Sequence, residues 1–164
     1  MGEIIRAVAM VETTGPLIFL AGPIQGAVPW QEEAIIHINS LANSIHIASP
    51  RSLHTDSKSW SYETQVDWET HYLNQAAQRG VVLFWLAKEH RHICTRAYAQ
   101  TSRFELAEWK EKHRRGEAKL VVGIEPGFSG ERYIKRRLSQ DCPGITIHDT
   151  LKDTCSQAAS LATS

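Results

Sequence analysis

A doubly wound α/β domain, with helices on both faces of a five-stranded parallel sheet, is the fold this sequence predicts. Three observations predict it. Several short runs are apolar at every position rather than at alternate ones, as strands buried on both faces read. Segments of helical period separate those runs. The chain has 164 residues, the length of one ordinary domain, and no repeat or linker divides it.

The elements follow in order. Residues 1–15 read as an N-terminal arm with room for a short strand, ending at Gly15 and Pro16. Leu17–Ala21 is the first buried strand and stops at Gly22 and Pro23. Trp30, Ala34, Ile35, Ile38, Leu41 and Ala42 recur at helical spacing, with Pro29 suited to a first turn. A second strand over 45–48 ends before Pro50, and 51–60 is a polar loop. Tyr62, Val66, Glu69, Leu73 and Ala76 fall on one helical face. Residues 81–86 form the central strand, and 87–100 a loop carrying His90, His92, Cys94 and Tyr98. A helix over 102–114, a strand over 119–123 and a helix capped by Ser129 come next. A short strand over 145–148 follows, and Asp149 opens a last helix.

Composition narrows the function. Lys plus Arg (18) equals Asp plus Glu (18), which gives no basic excess for a nucleic-acid polymer and favours a small-molecule ligand. Cys94, Cys142 and Cys155 make neither a disulfide framework nor a CxxC pair, which fits a reducing cytoplasm. No signal peptide, myristoylation motif or membrane-length apolar run is expected. His90, His92 and Cys94 lack the second ligand pair of a zinc site, so neither a metal nor a cofactor is expected.

In doubly wound sheets, ligands bind beyond the carboxyl ends of the strands, near the switch in strand order. Chemistry is therefore expected after Ala21, after Ala48, after Leu86 and after Gly123. After the first strand, Gly22, Pro23, Ile24, Gln25 and Gly26 give an open turn that a ligand can approach. Glu69 lies within an apolar stripe. It is either ion-paired with Arg51 or Arg79, or it lines a pocket with a raised pKa that suits a general acid. Asp67 points to the other side of the same helix. Glu105 has two readings as well: partner of Ser102 in a capping box, or a nucleophile kept ionised by the positive end of its helix. Arg51 and Arg103 are candidate substrate contacts, and Trp30 and Trp85, near strand ends, are candidates to stack on a base.

Five segments occur in a telling order: Phe19 to Ile24, Ser49 to Arg51, Gln65 to Glu69, Val82 to Trp85, and Thr101 to Trp109. The ordered set resembles the nucleoside 2-deoxyribosyltransferase-like family over roughly residues 17–126. The resemblance implies a flavodoxin-like, Rossmann-like sheet and enzymes that work on the N-glycosidic bond of a nucleoside or nucleotide. It implies a glutamate nucleophile matching Glu105, and a second acid on the preceding helix matching Glu69 or Asp67. The helical-face argument favours Glu69. The family's first loop maps to Gly22, Pro23, Ile24 and Gln25 as sugar or base contacts. A homo-oligomer is also implied. The stretch 98–104 departs from the Gly-rich, Asp-containing approach to the nucleophile in the family's transferases. Two alternatives stand beside transfer: hydrolysis of a nucleoside 5′-monophosphate, with Gln25, Gly26 and Arg51 toward the phosphate, and a nucleotide-binding module without turnover.

Overall fold

The computed structural model describes residues 1–52 and 60–164. Most of the polar loop expected over 51–60 lies outside the described residues. The strands are β1 (Ile4–Arg6), β2 (Leu17–Ala21), β3 (His46–Ser49), β4 (Gly80–Leu86), β5 (Leu120–Ile124) and β6 (Ile147–His148). The helices are α1 (Trp30–Leu41), α2 (Tyr62–Arg79), α3 (Gln100–Arg114), α4 (Glu131–Asp141) and α5 (Leu151–Thr163).

All six strands run parallel in the order β1-β3-β2-β4-β5-β6. The five expected strands form the flavodoxin-like core of that order. The sixth, β1, is a three-residue edge strand beside β3, drawn from the arm. It was legible only as a possibility, because Ile5 alone of its residues is buried. A single inward residue leaves no readable pattern.

The core strands alternate their side chains between two apolar layers. Leu17, Phe19, Val82, Phe84 and Val122 pack with Trp68, Tyr72, Leu106, Trp109 and Leu138 of α2, α3 and α4. Ile18, Leu20, Val81, Leu83 and Trp85 pack with Trp30, Ile38, Cys155 and Ala158 of α1 and α5. Both faces are covered, so the strands carry no polar side. The arm is tied to α2: Trp68 Nε1 donates to the Ala9 carbonyl at 2.8 Å, and the Val11 amide donates to Tyr72 Oη at 2.8 Å.

Several helix starts differ from expectation. Pro29 is the residue before α1 rather than within its first turn. Gly130, in the left-handed region, precedes α4 in place of Ser129, and Thr150 caps α5 by accepting from the Asp153 amide. Helix α3 begins two residues before Ser102, after Ala99 at φ 56°. The α2 stripe also splits. Trp68, Tyr72, Leu73 and Ala76 are buried, whereas Tyr62 is 72% and Val66 40% exposed. The first turns of α2 overhang the sheet's carboxyl edge, where there is no strand surface to cover.

Candidate active site

Strand β2 lies between β3 and β4, so the chain leaves it first to one side and later to the other. The crevice expected at such a switch is present. A cavity of about 1100 Å³ opens beyond β2 and β4, walled by the loop after β2, the end of β3, the start of α2, the loop after β4 and the start of α3.

The loop after β2 is held rigidly. Trp30 Nε1 donates to the Pro23 carbonyl at 2.9 Å, with Gln31 Nε2 at 3.5 Å from the same oxygen. The Gly26 carbonyl accepts from the amides of His90 at 2.8 Å and Arg91 at 3.0 Å. Arg96 completes the tie between loops by donating to Gln25 Oε1 at 2.5 Å. Gly26, at φ +82°, would place a β-carbon 2.8 Å from the Arg91 carbonyl. The crossing of these two loops therefore requires glycine there.

Two carboxylates from different helices enter the cavity. Glu69, on the third turn of α2, and Glu105, on the second turn of α3, both line it. Neither forms an ion pair among the described residues. Arg79, one partner considered for Glu69, is occupied by the Gly15 carbonyl and by Thr13 Oγ1. Glu69 instead accepts from Gln65 Nε2 at 2.7 Å, and Gln65 also donates to the Pro50 carbonyl at 3.2 Å. Burial raises the Glu69 pKa, and the Gln65 hydrogen bond opposes the rise.

Glu105 has no hydrogen-bond partner among the described residues, and its pKa is pushed up to about 8. Burial is the main cause, followed by the charges of Glu69 and Glu108. The capping box does not form. With α3 starting at Gln100, Glu105 lies beyond the first turn and cannot reach back to Ser102 as a third-position cap partner. The helix's positive end falls off within that turn, so desolvation governs the carboxyl.

Other expected residues fall in and out of the cavity. Gly22, Pro23, Ile24, Gln25 and Arg51 line it. Asp67 is exposed and does not line it. Trp30 is 1% exposed beneath the first loop, and Trp85 is 5% exposed against α5, so neither presents a ring to a ligand. Arg103 turns the other way: it stacks over Phe128 at 4.5 Å and donates to the carbonyls of Tyr98 and Ser129. Among the described residues, Phe19, Trp60 and Tyr62 are the Phe, Trp and Tyr side chains that line the cavity. Sequence reasoning also missed Gln65, His90, Arg91, Arg96, Thr101 and Ser102 as lining residues. For Gln65 a signal existed, since it stands one turn before Glu69 on the same face. Among the described residues, no group of three or more His, Cys, Asp or Glu side chains converges as metal ligands. No helix among them is long and apolar enough to cross a membrane.

A parallel, doubly wound sheet with a cavity at its switch point is the arrangement in which α/β domains hold small ligands. Within that class, the family model described as nucleoside 2-deoxyribosyltransferase like matches residues 15–128, and the chain belongs to that family. No curated protein matches the chain in sequence.

Proposed function

We propose that the protein cleaves the N-glycosidic bond of a nucleoside or nucleotide, with Glu105 as nucleophile and Glu69 as proton donor. The observation that carries this reading is the convergence of two carboxylates, neither ion-paired among the described residues, in one cavity at the sheet's switch point.

Burial raises both pKa values, and the Glu69 charge raises that of Glu105 further, so double ionisation of the pair is disfavoured. In the productive arrangement the proton is on Glu69 and Glu105 is ionised. A Glu105 oxygen bonds to C1′ as the bond from C1′ to the base nitrogen breaks, and the Glu69 proton passes to the departing base. Glu69, now ionised, takes a proton from an incoming water or base. That acceptor bonds to C1′ and releases the Glu105 carboxylate. Two inversions give net retention. Gln65 contributes by fixing the Glu69 carboxyl and by opposing a further rise of its pKa.

The test is base release from a panel of nucleosides and nucleotides by wild type and by Glu105→Ala. A loss of at least about 10³-fold is expected in the variant. Unchanged release by a folded variant would remove Glu105 from the chemistry.

A further inference from the structure

The stretch 98–104, which the sequence sets apart from the family's transferases, builds a brace on the side of α3 away from the cavity. Arg103 is its centre. Its Nε donates to the Tyr98 carbonyl at 3.3 Å, and its Nη2 donates to the Ser129 carbonyl at 2.7 Å. The guanidinium lies 4.5 Å over the Phe128 ring, and that ring packs against Tyr98 with centroids 6.0 Å apart. Tyr98 is itself anchored, since its hydroxyl donates to the Ala87 carbonyl at 2.6 Å. Arg103 has no carboxylate partner among the described residues. Its two hydrogen bonds go to neutral backbone, and its charge strengthens them.

The two carbonyls occupy equivalent places in the chain. Ala99 precedes α3 and Gly130 precedes α4, and Tyr98 and Ser129 each stand one residue earlier. Ala99 and Gly130 are both left-handed, at φ 56° and 81°, and neither helix start has a side-chain cap. Alanine holds such a conformation only where its surroundings impose it. The Tyr98 carbonyl belongs to the peptide that enters Ala99, so holding that oxygen holds the turn into α3. A β-carbon at Gly130 would stand 3.3 Å from Arg103 Nη1, so the brace closes on a residue without a side chain. A cation reaching back to the positive end of its own helix is unfavourable by itself. The two carbonyls account for its place there, because a planar fork spans both and a single ammonium does not.

We propose that Arg103 is a positioning residue: by joining the starts of α3 and α4 it sets where α3 begins, and with it where Glu105 stands in the cavity with Glu69. The role rests on the N-glycosidic reading given above. Arg103 acts through place rather than charge. It does not line the cavity, and the charges that act on the Glu105 carboxyl are those of Glu69 and Glu108. Glu105 has no hydrogen bond of its own among the described residues, so its helix alone holds it. A displacement of about 1 Å at a reacting group costs on the order of 10²-fold in rate.

Steady-state base release by Arg103→Ala tests this, beside amide hydrogen exchange, which needs no turnover. In the variant kcat is expected to fall about 10–100-fold while KM stays within about threefold, because Arg103 faces away from the cavity. Guanidinium chloride at a non-denaturing concentration restores kcat at least about fivefold, and sodium chloride at equal ionic strength does not. The amides of the first turns of α3 exchange faster in the variant, and guanidinium slows them again. Arg137→Ala, which removes a guanidinium stacked on Tyr133 and paired with Asp141, changes neither readout. Arg103→Gln keeps a donor for one carbonyl, shows a smaller loss of the same kind, and stands in if Arg103→Ala does not fold. A folded variant with kcat within about twofold of wild type would overturn the role. So would a rise in KM alone, unchanged exchange at the start of α3, equal rescue by sodium chloride, or an equal loss in Arg137→Ala. Faster exchange in Arg103→Ala with no base release from any nucleoside or nucleotide by wild type would instead reject the catalytic reading alone.

Discussion

Of the three glutamates of helix α3, Glu105 and Glu111 lie less than two helical turns apart. They sit in opposite electrostatic surroundings. Glu111 lies 3.1 Å from Lys110 and 2.9 Å from Arg114, and these partners hold its pKa below the usual carboxylate value. Lys110 also bonds Asp141, which Arg137 approaches at 3.3 Å. The far end of the helix is thus a closed network in which every acid has a base. At the near end, Glu105 faces the cavity beside another carboxylate and has no ion-pair partner among the described residues. Paired surface charges of the first kind join elements and contribute modestly. A buried, unpaired acid has an energetic cost, and it is retained where that cost supports chemistry.

That contrast sets the order of expected effects. The largest is the loss of base release in Glu105→Ala given above. Next, Glu69→Gln should lower base release by about 10²–10⁴-fold, the usual worth of a positioned general acid. It should also change the pH profile. In wild type, kcat/KM should fall above about pH 8, as the pair loses its shared proton. In Glu69→Gln burial still raises the Glu105 pKa, so the residual rate should rise with pH as Glu105 ionises rather than fall. A profile in wild type that rises to a plateau through pH 8 would mean that Glu105 ionises independently of any acid partner.

Stability should move in the opposite direction to activity. The folded pKa of Glu105 lies above its unfolded value. Its contribution is therefore favourable at low pH and is lost as pH rises through about 8. Glu105→Gln should be more stable than wild type at pH 8.5 by ~1–3 kcal/mol, and the advantage should vanish below pH ~4.5. Urea unfolding at the two pH values measures it. At the other end of α3, Lys110→Ala should lower the melting temperature by only a few degrees and leave base release intact. A loss of activity there would break the separation between the two ends.

Much of the fold was legible because β2, β4 and β5 are apolar on both faces, which only a covered parallel sheet explains. The carboxylate pair was partly legible too: Glu69 stood out as a charge within an apolar stripe, and Glu105 by its place after the central strand. The capping-box alternative failed for a reason no local pattern reveals. Ala99 adopts a left-handed conformation, and α3 starts before its Ser-x-x-Glu signature. The expectation for Trp30 and Trp85 failed because proximity to a strand end does not say which way a ring points. Both fill the layer beneath α1 and α5. Arg91 and Arg96 were invisible as site residues because their position depends on Gly26 and Gln25, more than sixty residues earlier in the chain.

The central claim is a covalent one: the sugar is carried on Glu105. Rapid quenching of wild type with a nucleotide, followed by peptide mass analysis, addresses it directly. The account predicts one glycosyl adduct, on the peptide containing Glu105, formed as fast as base appears and absent from Glu105→Gln. Base release at full rate with no adduct at any time, or with the adduct on another residue, would contradict it.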